Sequence, residues 1–106
     1  MDIEKLRDLL KRESEITEET MGFFEIIFDA KANMLNENLD DTMAFIDTCT
    51  EFEFLWMSNA FDEVSEKYKS TKFIECIKRN ALRFPEIAEE VKVDLEYATL
   101  AMEDNK

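Results

Sequence analysis

Residues 50–69 read TEFEFLWMSNAFDEVSEKYK, and this stretch decides the fold class. Phe54, Met57, Phe61, Val64 and Tyr68 recur at steps of three and four, the spacing of one face of an α-helix. The start of the stretch carries a stop-and-start signal of its own. In Thr50-Glu51-Phe52-Glu53 the Thr50 hydroxyl can accept from the backbone of Glu53 while the Glu53 carboxylate reaches back, a capping box. The spacing predicts a helix over 50–69.

The same period continues outward on both sides. A helix over about 2–12 carries Ile3, Leu6, Leu9 and Leu10 on one side. Thr17 caps a second helix through Leu35, with Phe23, Ile27, Ala30 and Met34 in one stripe and Phe24 and Phe28 beside it. The Asn-rich break at 36–38 favours a turn, and a third helix begins at Asn38 or Leu39 with Leu39, Met43 and Ile46 inward. Ser70 or Thr71 caps a fifth, turning Phe73, Ile74, Ile77, Ala81 and Phe84 inward. Pro85 suits the first turn of a sixth, where a missing donor does no harm, and its stripe is Ala88, Val91, Leu95, Ala98 and Met102. A β-rich chain needs turn residues at regular intervals, and 106 residues with one Gly and one Pro do not supply them. The expectation is one all-α domain over 1–106, with six helices in three antiparallel hairpins at 2–35, 39–69 and 71–104. Either a HEAT-like short solenoid or a compact orthogonal bundle would bury these stripes.

Composition limits what such a domain can do. Hydrophobic residues make up 45% and aromatics 11%, which sets the chain apart from disordered polymers of similar charge. With 26 acids against 13 bases it would repel phosphates, so nucleic acid and anionic membranes are poor partners, whereas a basic protein is a natural one. No run of signal-peptide or membrane-span length occurs, and Cys49 and Cys76 lack metal-ligand spacing while falling on helix stripes. Buried reduced thiols and a cytoplasmic location are therefore expected.

Histidine is absent, which removes the commonest general acid or base and every Ser–His or Cys–His pair. A single glycine cannot build a phosphate-cradling loop, and no cofactor is expected. One enzymatic pattern is left. Glu63 and Glu66 match the E-x-x-E of all-α, Mg²⁺-dependent nucleotide pyrophosphatases. The second acid pair of those enzymes would fall on Glu90 and Asp94, where the spacing is one residue too long. That extra residue turns the second carboxylate about 100° away.

The acids of the middle are more distinctive. Nothing basic occurs between Lys31 and Lys67, and nine acids lie in that interval. Asp40, Asp41, Asp47, Glu51 and Glu53 have no cation within reach along their own helices to pair with. Phe52 and Trp56 lie outside the 54–57–61–64 stripe and widen the apolar surface of their helix. A solvated face and a helix buried on two sides would account for these features. So would a protein-binding site that meets a basic partner through Asp40, Asp41, Asp47, Glu51, Glu53, Trp56, Asp62 and Glu63.

Residues 61–90, FDEVSEKYKSTKFIECIKRNALRFPEIAEE, carry Phe-Asp-Glu at 61–63, a capped Ser-Thr-Lys-Phe-Ile at 70–74 and Arg-Phe-Pro-Glu at 83–86. In these features the chain resembles the small helical immunity proteins of bacterial toxin–immunity and contact-dependent growth inhibition systems. The resemblance implies a non-enzymatic cytoplasmic protein that binds one cognate toxin, often a nuclease, and blocks it. A helical adaptor or dimerising protein is the remaining alternative.

Overall fold

The computed structural model describes residues 1–103, and all regular structure among them is helical. The α-helices are α1 (Ile3–Ser14), α2 (Phe24–Leu35), α3 (Leu39–Thr48), α4 (Glu51–Met57), α5 (Phe61–Tyr68), α6 (Thr71–Ala81) and α7 (Ala88–Glu103). Short 3-10 turns at Glu18–Phe23 and Pro85–Ile87 lead into α2 and α7, and a third at Ser58–Ala60 joins α4 to α5. Six helical stretches result, close to the expected limits; residue 104, the expected end of the third hairpin, lies outside the described residues.

Side-chain caps set the helix starts. Asp2, Asn38, Thr50 and Ser70 accept from the backbones of Lys5, Asp41, Glu53 and Phe73 at 3.0–3.2 Å. Glu53 Oε1 also takes the Thr50 N–H at 3.0 Å and completes the capping box. Each such bond satisfies one of the donors a helix start leaves open. At the far end of α5, Lys69 turns into the left-handed region at φ 48°, which stops the helix.

The 50–69 helix is not continuous. Ser58 Oγ bonds to the Leu55 carbonyl at 2.8 Å and to Asp94 at 3.0 Å, while the Asn59 side chain is drawn into a polar cage with Glu13. Side chains that compete for nearby backbone and polar partners loosen an α-helix locally. The 3-10 turn at 58–60 is the result.

Of the two possible arrangements the bundle is the one found. α1 packs on α2 and α4, α3 chiefly on α6, and α5 on α7, so the 39–69 segment is shared out between its neighbours. A radius of gyration of 13.2 Å is that of a compact domain of about 100 residues. An aromatic cluster lies in the core: Phe61 stands edge-on to Phe54 and Phe73 at 5.4 and 5.7 Å, and Phe84 closes on Phe54 at 5.5 Å. Leu6, Leu10, Leu35, Ile46, Met57, Val64 and Ile77 are fully buried around it.

Most of the expected stripes face this core, but Ile3 is 41% exposed, Ala88 is exposed, and two further departures have a visible cause. On α3 the buried face is Thr42, Phe45 and Ile46, while Leu39 and Met43 sit at its edge. Thr42 is accommodated because its hydroxyl donates to the Leu35 carbonyl at 2.7 Å. Phe23, expected inward, is 61% exposed, because the tighter 3-10 turn at 18–23 rotates it off the α2 stripe. Cys49 and Cys76 are free and buried, and burial pushes both thiols up to about 11, which keeps them protonated and unreactive. Among the described residues no helix is long and apolar enough to cross a membrane.

Candidate functional site

Lys31 has no exposed surface. Its Nζ donates to Glu13 Oε1 at 2.6 Å, to the Trp56 carbonyl at 2.9 Å and to Asn59 Oδ1, while the Phe28 ring lies 4.6 Å away. Three acceptors match the three protons of an ammonium group. Glu13 is 3% exposed, and its second oxygen takes the Asn59 amide at 2.9 Å. Burial pulls the Lys31 pKa below the usual lysine value, against the raising effect of Glu13, Asp94 and Glu63. The cage ties α1, α2 and the α4–α5 junction together at one point.

This burial alters the surface charge. From Glu13 to Glu66 the only cation is Lys31, and it is enclosed with Glu13. No exposed lysine or arginine therefore occurs on the α2–α5 part of the chain until Lys67.

The eight residues that the sequence singles out separate into three groups. Glu53 is 8% exposed and serves the fold, closing the capping box and pairing with Arg7 of α1 at 2.7 Å. Asp47 accepts from Arg79 at 2.8 Å and from Asn80 at 2.7 Å, and these bonds hold its carboxyl below the usual aspartate value. Asp41 takes the Met1 amino group at 3.5 Å, Asp40 is exposed and Glu51 is half-buried. Trp56 is half-buried at the edge of the core, its ring 6.4 Å from that of the exposed Phe52. For Glu53 and Asp47 the missing cation is thus supplied across helices, by α1 and α6.

Asp62 and Glu63 are placed differently. They lie at the start of α5 beside Asp29 of α2, Glu66 of α5 and Asp94 of α7. Desolvation, then the like charges of Asp62 and Asp29, raises the Glu63 carboxyl above its usual value. Desolvation also raises Asp94, with Asp62 adding to it, although Ser58 donates to the Asp94 carboxylate. These acids repel one another, and the enclosed Lys31 offsets that only in part. On α2, Glu25 and Ile26 share a face with Asp29, at i,i+4 and i,i+3, and Ile26 is 68% exposed. Met21, Phe23 and Phe24 add exposed apolar surface just before it.

This apolar and acidic face of α2 was not singled out from the sequence. A signal for it exists: residues 13–30 hold six acids and no base. Lys31 interrupts the pattern in sequence and hides the fact that the surface run continues.

The raised carboxyls make a pH prediction. A folded-state pKa above the unfolded value means the native state takes up protons first, so stability rises as pH falls toward 4.5 for Glu63 and 3.8 for Asp94. Asp47 acts in the opposite sense, and its contribution is lost as pH falls below 3.8. Melting temperature should therefore rise from pH 7 toward 4.5 and then fall. In the Glu63→Gln, Asp94→Asn variant it should be higher at pH 7 and change less over that interval. An unchanged pH profile in this variant would show that the face is not strained.

Among the described residues no group of acids or thiols is arranged to hold a metal ion, and Glu63, Glu66 and Asp94 are no exception. No family model, curated protein or solved structure matches the chain.

Proposed function

We propose that the protein is a non-enzymatic, acidic binding protein of the cytoplasm that neutralises a basic toxin domain, most simply a nuclease, by occluding its active site. The observation that carries this reading is the face formed by Asp29, Asp62, Glu63, Glu66 and Asp94, where desolvation and like charges raise the Glu63 and Asp94 carboxyls and the exposed Lys67 at the end of α5 is outnumbered. A partner's lysines and arginines would relieve that repulsion on binding. Carboxylates spaced along α2 and α5 would occupy the positions of RNA or DNA phosphates in a nuclease cleft, and Ile26 and Phe23 would supply apolar contact. Complementary fields speed encounter and reject wrong partners. The buried, protonated thiols suit a reducing compartment.

Immunity genes usually follow their toxin gene directly, so the product of the gene immediately upstream is the partner to test. Expressed alone it should arrest growth, and co-expression of this protein should restore it. Asp29→Asn, Asp62→Asn, Glu63→Gln and Glu66→Gln together should keep the fold but slow association. Where a carboxylate is buried against a partner cation, its loss should cost ~2–5 kcal/mol in affinity. The wild-type association rate should fall with added salt, as screening shortens the reach of the field. A harmless upstream product, or protection and rates unchanged in the four-amide variant, would overturn the proposal.

A further inference from the structure

A groove of about 740 Å³ runs between α6 and α7, away from the strained acidic cluster. Its floor is small and aliphatic, with Ala81, Ala88 and Leu95, and its edges carry Leu82 and Leu100, 84% and 60% exposed. Lys78, Lys92, Glu89 and Glu96 also line it, all four exposed and, among the described residues, none of them ion-paired. In a chain of net charge −13 this apolar surface is formally neutral.

We infer that the groove is the interface of a homodimer, with a second copy of this chain as its occupant. This deepens neither the acidic face nor its partner; it concerns a different surface. Three features select a second copy. The lining carries both signs in equal number, so two copies can meet here without net repulsion. Among the α7 residues that line the groove the signs alternate, Glu89, Lys92, Glu96, so two α7 helices lying antiparallel about a two-fold axis put Lys92 of each copy opposite Glu96 of the other. A two-fold interface must be self-complementary in this way. Finally, each copy has both a knob, Leu82, and a hole, the alanine-floored groove. One helix pair and its flanks bury an area near the low end for specific complexes, about 1,200 Å² in total, so the dimer should be weak and reversible.

Sedimentation equilibrium at about 0.15 M salt, where the Debye length of ~8 Å limits whole-molecule repulsion, tests the inference. The wild-type chain should pass from monomer toward dimer as its concentration rises to about 1 mM, in the range of weak protein association. Lys92→Glu and Glu96→Lys should each weaken the dimer about tenfold or more by setting like charges face to face twice. The double variant K92E/E96K should restore it, because the swapped charges again oppose. Leu82→Asp should weaken it as well, and its high exposure leaves the monomer fold untouched by circular dichroism. A chain that stays monomeric to about 1 mM overturns the inference. So does a dimer indifferent to the single reversals, which would be using another surface such as Met21–Phe24.

Discussion

Replacing Lys31 by Met is expected to destabilise the protein by about 3–5 kcal/mol, because it leaves the Glu13 carboxylate buried beside a methyl group. In a domain of this size that corresponds to a fall in melting temperature on the order of 20 °C. The paired change Lys31→Met, Glu13→Leu should recover most of the loss, since an apolar pair of similar volume is often as stable as the buried ion pair it replaces. Asn59 would then lose both of its charged partners, so recovery should be incomplete unless Asn59→Leu is added. Urea denaturation of the single and double variants, treated as a double-mutant cycle, measures the coupling. A single-variant loss below about 1 kcal/mol would mean the cage does not hold a charge pair.

Phe61→Ala should be of comparable severity, about 3–5 kcal/mol, through loss of a ring that is fully enclosed and edge-on to Phe54 and Phe73. The contrast within the same 50–69 segment is the informative part. Phe52 is 44% exposed, and its truncation should cost well under about 1 kcal/mol. Trp56, half-buried at the core's edge, should fall between the two. If Trp56→Ala matches Phe61→Ala, the indole is a core residue and contributes little to any partner. Normal stability with weakened binding of the proposed partner would make it an anchor. Chemical denaturation and the growth-rescue assay together separate these outcomes.

Local physics is well legible in this chain. The capping box at Thr50–Glu53, the caps at Asn38 and Ser70, and the stripe of Phe54, Met57, Phe61 and Val64 depend on residues within a few positions of each other. Periodicity reports them directly. It also places the two cysteines inside. It fails at Phe23, where a 3-10 turn replaces the assumed α-helical period, and at Ser58–Asn59, where side chains answer to groups far along the chain.

Sequence alone determined that the chain is helical, where most of its helices start and that its charge is strongly negative. Tertiary structure decided which of those negative charges are neutralised within the fold. Glu53 meets Arg7 across 46 positions and Asp47 meets Arg79 across 32, so two acids from the longest cation-free run are neutralised by helices that only packing brings near. Lys31 marks the edge of that run in the sequence, yet packing encloses it with Glu13 and thereby removes it from the surface. Asp40 stays exposed, and Asp62 and Glu63 are joined by the like charges of Asp29 and Asp94 from α2 and α7. The reason is that Coulomb interactions depend on distance and solvent exposure, and neither is a property of position along the chain.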